Sequence, residues 1–345
     1  MGYGRPGYAS RRRRKPCVQL HGNRCQSCSS HVRDNQVHAV MTQTRPWRFP
    51  DLRAGTTINF FADTQSGFRP QFTDNWNMRI AEDAQLLKAF AAGHVHGGDC
   101  IEWNTPTPED GSYIAFRNRV MQNGLPYLDV PGNHDMCTYA APTTRTANQW
   151  ASTVAGRPQA NSVKRMGGMA VIGLAPDYWL WDTGIDNYAP PPPLSASTLT
   201  WLSNQLDLLG STPTWLVTHH LPVGQPAEPI AANELVQPWD TIVDIMASHG
   251  NVIGWLSGHW HIRPETWSIG TKILNAGGRK IFGINAPSAS GITGGTSATD
   301  HQWKNNARST FITYMGDAVD IRWRDHTNPS WMTVNGEQVH QLLLT

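Results

Sequence analysis

Tyr127-Leu128-Asp129-Val130-Pro131-Gly132-Asn133-His134-Asp135 is the stretch on which the fold turns. Residues of strand character run into a Pro-Gly break, which delivers an amide, an imidazole and a carboxylate in succession. Upstream, a strand over 57–62 ends at Asp63, helical spacing covers 78–92, and a short strand over 95–98 ends at Asp99. A helix over 113–122, stopped by Asn123-Gly124, leads into the quoted stretch. Downstream, 169–174 reads as a strand and 199–209 as a helix, and a strand over 215–218 ends in His219-His220. A helix over 239–247 then precedes a strand over 252–256 that ends in Gly258-His259-Trp260-His261. Segments 272–274 and 311–314 look like antiparallel strands. Strands interleaved with helices predict an α/β fold. In such sheets binding groups gather beyond the carboxyl ends of the strands, so five polar strand ends are expected to converge despite their wide separation in sequence.

Composition divides the chain. Its formal net charge is only +2 over 345 residues. Residues 1–40, however, hold eight basic groups, including Arg11 to Lys15, against Asp34 alone, and all 15 Trp and 9 Phe lie beyond residue 46. The remainder is mildly acidic, which argues against a globally basic nucleic-acid binder. A basic, disordered extension over 1–45 followed by one domain over 46–345 is the expected organisation, with Met41 as an alternative start. Cys17, Cys25 and Cys28 with His21 or His31 offer a zinc knuckle, against which stands the lack of a second C-x-x-C pair; nucleic acid is expected as a partner only through this tail. No apolar run approaches a membrane span, and Pro16 to Asn23 is no signal-peptide core. With two cysteines in the body, Cys100 and Cys137, a cytoplasmic location is expected. The prolines at 190–193 read as a stiff connector, and 285–300, rich in Ser, Gly, Ala and Thr, as a mobile loop.

Taken singly, the motifs are weak: a strand-end Asp is often a cap, and a His pair is often a hydrogen-bonded core pair. Their order is specific. Asp, then Gly-Asp, then Gly-Asn-His-Asp, then His, then Gly-His-x-His resembles the calcineurin-like metallophosphoesterases, over about residues 57–261. The resemblance implies two packed mixed β-sheets flanked by helices, a four-layer α/β/β/α sandwich. It also implies two divalent ions bridged by Asp99, with Asp63 and His261 completing one site and Asn133, His219 and His259 the other. His134 would be the catalytic histidine and Asp135 its orienting carboxylate; His219 is preferred to His220, which stays open as the ligand. Mixed Asp, Asn and His donors suit Mn, Fe, Zn, Co or Ni. Such a pair of ions would activate water and bind the phosphoryl oxygens of a phosphomonoester or phosphodiester substrate, while His134 assists the leaving group.

One position departs from the pattern. Where the family usually has D-x-H, the chain has Asp63-Thr64-Gln65, so Gln65 is either a variant ligand or a group behind the ligands. Two rival readings follow: a binding module that keeps the fold with a degenerate first site, and a nuclease of the same superfamily whose tail engages DNA. His94 and His96 read as strand residues on alternate sides of Val95, and Trp260 as either a buried anchor or a substrate contact. Leaving-group pockets are expected in 64–77, 102–112, 176–195 and 286–300.

Overall fold

A computed structural model describes residues 55–66, 70–101, 110–136, 145–177, 193–222, 235–289, 292–293, 302–303 and 307–344. All lie in the unit Arg53–Thr345. The tail residues discussed above, the boundary at 45/46 and most of the proline run lie outside the described residues.

The chain opens with β1 (Thr56–Phe61), followed by α1 (Pro70–Leu86), β2 (His94–His96), α2 (Asp110–Met121) and β3 (Tyr127–Asp129). These three strands pair in parallel, Phe61 opposite His96 and His96 opposite Asp129. One helical turn, α3 (Asn133–Met136), and α4 (Ala147–Thr153) come next, α4 opening on a reciprocal Thr146/Gln149 capping box. The second sheet is built from β4 (Ser162–Met166), β5 (Met169–Gly173), β6 (Thr214–Val217), β7 (Val252–Ser257), β8 (Thr271–Ala276) and β9 (Arg279–Asn285), in the order β4-β5-β6-β7-β9-β8. Between them run α5 (Ala196–Leu209) and α6 (Trp239–Ser248). A small pair, β10 (Ile292–Thr293) and β11 (Gln302–Trp303), precedes β12 (Arg308–Tyr314), β13 (Ala318–Asp325), β14 (Ser330–Trp331) and β15 (His340–Leu343). These last four return to the first sheet, β12 lying antiparallel to β1.

Three buried clusters define the layers. Phe60, Val95, Leu128 and Ile312 of the first sheet pack on Val171, Trp215, Leu256 and Phe282 of the second. Phe61, one residue from Phe60 and therefore on the opposite face, packs with Ile80 of α1 and with Phe116 and Tyr113 of α2. On the far side, Leu202 and Leu206 of α5 and Ile242 and Met246 of α6 cover Ile172, Leu216 and Trp255. The spacing of Leu199, Leu202, Leu206 and Leu209 keeps one face of α5 on the sheet, and burying each leucine contributes roughly 1.5–3 kcal/mol. The architecture is the expected helix–sheet–sheet–helix sandwich.

His94 and His96 share the side of Phe61, away from the core between the sheets, as the alternation about Val95 predicts. Both are held by hydrogen bonds, His94 between Asn59 and Asn123 (3.2 and 2.7 Å) and His96 to Thr64 Oγ1 (3.0 Å). Helix α1 is anchored through Asp83. Arg324 Nε and Nη2 donate to its two oxygens at 2.6 and 3.0 Å, and His326 Nδ1 lies 2.8 Å from Oδ2. Ser309 Oγ closes the chain on His326 Nε2 at 2.7 Å. Burial holds the His326 pKa below its ordinary value, so the neutral ring donates to Asp83 and accepts from Ser309.

The expectation of a mobile loop from residue 285 is corrected for its first residues. Asn285 ends β9, and Ala286, Ser288 and Ala289 are buried, because Ala289 N donates to Ala62 O at 2.9 Å and Ser288 bridges to Ala62. Of the segment 64–77, residues 64–66 are buried and 70–77 belong to α1. The described ends of the other two segments give 110–112 to α2 and leave 176–177 and 193–195 as irregular chain.

Candidate metal centre

Every expected site residue follows the carboxyl end of a parallel strand. Asp63 and Gln65 follow β1, Asp99 follows β2, and Asn133, His134 and Asp135 form α3 after β3. His219 and His220 follow β6, and His259 and His261 follow β7. The site therefore straddles both sheets. Backbone bonds lock the first two loops together: Asp63 N donates to Gly98 O at 2.9 Å, Gln65 N to Asp99 O at 3.0 Å, and Ser66 N to Cys100 O at 3.0 Å. Across the sheets, His259 N donates to both Asp63 oxygens at 3.2 Å; within the second sheet, Gly258 N donates to His219 O at 2.9 Å.

The backbone is strained where these side chains leave it. Non-glycine residues with left-handed φ are Asp63 (56°), Gln65 (42°), Asp99 (52°), His259 (73°), His261 (49°) and Asn335 (51°) among the described residues. All but Asn335 are expected ligands, and each such conformation costs on the order of 1–3 kcal/mol. Close packing accompanies the strain: a Cβ on Gly132 would fall on the carboxylate and the backbone nitrogen of Asp99. Only glycine lets the third loop approach the second this closely.

The polar groups meet at Asp99. Its Oδ1 accepts from His134 N at 3.0 Å, and its Oδ2 lies 3.2 Å from His219 Nε2 and 3.8 Å from His134 Nε2. His261 Nε2 lies 3.2 Å from Asp63 Oδ1. His219 Nδ1 donates to Gly97 O at 2.8 Å, which orients the ring with Nε2 facing the carboxylates. His220 stacks on His259 with ring centroids 4.1 Å apart. Potential ligand atoms of Asp63, Asp99 and His219 lie within 4.8 Å of one another, as do those of His219, His220 and His259, so the two groups share His219. Gln65 is buried, and its Oε1 has no hydrogen-bond partner among the described residues. A buried amide oxygen of this kind suits a cation, and the donors as a whole, carboxylate and amide oxygen beside imidazole, suit borderline divalent metals.

Electrostatics separates the groups. Burial alone would raise the Asp99 pKa, but the facing His219 and His134 outweigh it and hold the carboxyl below the usual range. Burial opposes the charged form of His219, yet Asp99 pushes it up to about 9. Burial, then the neighbouring imidazoles, keeps His220 and His259 well below the ordinary value, so both rings stay neutral and able to coordinate.

Asp135 corrects an expectation. Its carboxylate does not orient the His134 imidazole; it accepts from the backbone N–H groups of Gly132, Cys100 and Ile101. Successive residues of a helical turn point about 100° apart, so neighbours in α3 cannot face each other. Burial, then Asp99, pushes Asp135 up to about 7 against the bond from Gly132. His134 remains the accessible member of the turn, its side chain 11% exposed between two buried neighbours. The sequence reading missed Arg145, whose Nε donates to Asp135 O at 2.6 Å; a lone Arg ten residues beyond the motif gave no signal.

No protein-family model matches the sequence, and no curated protein is similar to it at significance. Among solved structures, a dimetal phosphatase from Danio rerio superposes with a TM-score of 0.51 at 11% identity, covering 84% of this chain and 99% of the other. The fold is that of the calcineurin-like metallophosphoesterases. Two further structures align over 84% of this chain. One is the purple acid phosphatase PPD1 of yellow lupin, with a TM-score of 0.46 at 11% identity over 53% of that chain. The other is Entamoeba histolytica Vps29 complexed with zinc, with a TM-score of 0.32 at 10% identity over its full length. No described helix of this metallophosphoesterase-fold chain is long and apolar enough to cross a membrane.

Proposed function

We propose that the protein is a metal-dependent phosphoesterase acting on phosphomonoesters or phosphodiesters. The observation that carries this reading is the convergence of Asp63, Asp99, His219, His220 and His259, from strand ends of both sheets, in two overlapping groups of possible ligand atoms. Asp63, Gln65, Asp99 and His261 would hold one divalent ion, and Asp99, Asn133, His219 and His259 a second, with His220 alongside. When bound, such ions supply Lewis-acid activation of water and of the phosphoryl oxygens. The protein's own contribution is placement. Asp99, clamped by His134 N and facing His219, is positioned to be shared between the two sets. His134, partly exposed beside it, is placed to give a proton to the leaving alkoxide.

Purified protein incubated with Mn, Co, Ni or Zn is expected to bind two equivalents and to cleave nitrophenyl phosphate or bis(nitrophenyl) phosphate. His134→Ala should slow turnover by about 10²- to 10⁴-fold while metal content stays the same. No bound metal by elemental analysis and no turnover with any of these ions would remove the enzyme reading and leave the binding module.

A further inference from the structure

Asp135 has no place in the chemistry just described, yet it is fully buried and saturated with donors. Its Oδ2 accepts from Gly132 N at 2.7 Å and Cys100 N at 3.1 Å, and its Oδ1 from Cys100 N and Ile101 N, both at 3.1 Å. Gly132 immediately precedes Asn133, and Cys100 immediately follows Asp99. One carboxylate thus joins the loop that carries Asp99 to the turn that carries Asn133 and His134. Since the Asp99 loop is itself bonded to the Asp63–Ser66 loop through Gln65 N and Ser66 N, all three loops of the first sheet form one connected frame. Arg145 anchors that frame from outside. Its Nε donates to Asp135 O at 2.6 Å, and its Nη1 donates to both oxygens of Asp110, at 3.0 and 2.9 Å, on the first residue of α2.

We infer that Asp135 is a positioning residue that buckles the Asp99 loop to the Asn133–His134 turn and so sets where metal sits, without acting through the His134 ring. This rests on the phosphoesterase reading above. A carboxylate is suited to the task because it presents acceptors only, and three N–H donors converge on it; an amide would turn a donor toward them.

The test compares Asp135→Asn with His134→Ala in the full-length protein, using Mn2+ alone as the metal probe. Asp135→Asn is expected to weaken Mn2+ binding by roughly 10- to 100-fold, the usual cost of losing a group that supports metal ligands. The amides of Gly132, Cys100 and Ile101 should exchange with solvent at least about tenfold faster. At saturating Mn2+ its rate loss should be equal for nitrophenyl and alkyl esters, whereas the loss in His134→Ala should grow as the leaving group worsens. Unchanged Mn2+ affinity and amide exchange in Asp135→Asn would overturn the inference, as would a rate loss that tracks leaving-group pKa like that of His134→Ala. Should Asp135→Asn not fold, Arg145→Gln removes only the outer anchor and is expected to give the same pattern at smaller size; unchanged exchange there counts against the buckle. If the wild type binds none of Mn2+, Co2+, Ni2+ and Zn2+ and turns over with none of them, the phosphoesterase reading falls, and the amide exchange alone then upholds or sinks the buckle.

Discussion

Asp83, on helix α1, and Asp99, in the loop after β2, are both buried carboxylates facing imidazoles, yet their surroundings are neutralised differently. Asp83 meets the guanidinium of Arg324 on both oxygens and the ring of His326, which is in turn closed by Ser309. Asp99 and its neighbour Asp63 face only imidazoles and backbone N–H groups, and no Lys or Arg pairs with either among the described residues. A buried charge is retained when it is paired or when it coordinates a metal. The first arrangement is complete within the chain and is structural. The second concentrates carboxylates without a resident cation, which is the condition a divalent ion fulfils.

The comparison breaks most visibly at Asp83. Asp83→Asn leaves Arg324 charged and buried without its partner, and should cost about 3–5 kcal/mol in urea unfolding while leaving Mn2+ affinity unaltered. A loss below about 1 kcal/mol would show that the cluster is not the anchor of α1. Asp99→Asn should behave in the reverse sense. Mn2+ at a hundredfold excess over its Kd is expected to stabilise the wild type by about 2.7 kcal/mol, and this increment should vanish in Asp99→Asn. Thermal unfolding with and without Mn2+ reads it, and an increment that survives would place the ion elsewhere.

A smaller effect sharpens the structural side. Burial, then His326, lowers His94 to about 4, between its Asn59 and Asn123 partners. The folded ring therefore resists a proton that the unfolded chain accepts near pH 6.5. The sign follows: this contribution is fully present above about pH 6.5, declines by at most about 1.4 kcal/mol per pH unit on acidification, and levels off below the folded value. His94→Gln should flatten the fall in urea midpoint between pH 6.5 and 4.5; equal slopes in the two proteins would show that His94 is not protected in this way.

The placement of the candidate groups was legible in the sequence because each polar cluster terminates an apolar run, and the end of a strand is where a chain can present polar groups without burying them unpaired. The helices were legible from spacing, although α1 and α5 begin earlier than their apolar residues suggest. Strand β4, Ser-Val-Lys-Arg-Met, escaped notice because it is an edge strand whose exposed lysine and arginine hide the pattern. The sequence preferred His219 to His220 because it directly follows its strand; the bond from His219 Nδ1 to the Gly97 carbonyl, 122 residues away, had no signal there. The role of Asp135 was misread for a related reason, since adjacency in sequence suggested a contact that helical geometry forbids. The Asp83 cluster joins α1 to β13 across more than 240 residues and leaves no trace in any short motif.

Gly132 carries a consequence for how the chain can vary. Every missense change at a glycine codon adds at least a Cβ, and here that atom has no room beside Asp99. The position has no conservative neighbour in mutational space: alanine and tryptophan alike displace the Asp99 carboxylate. In a saturation library sorted for metal retention, residue 132 should read as an all-or-none site, while the neighbouring loop positions grade with size.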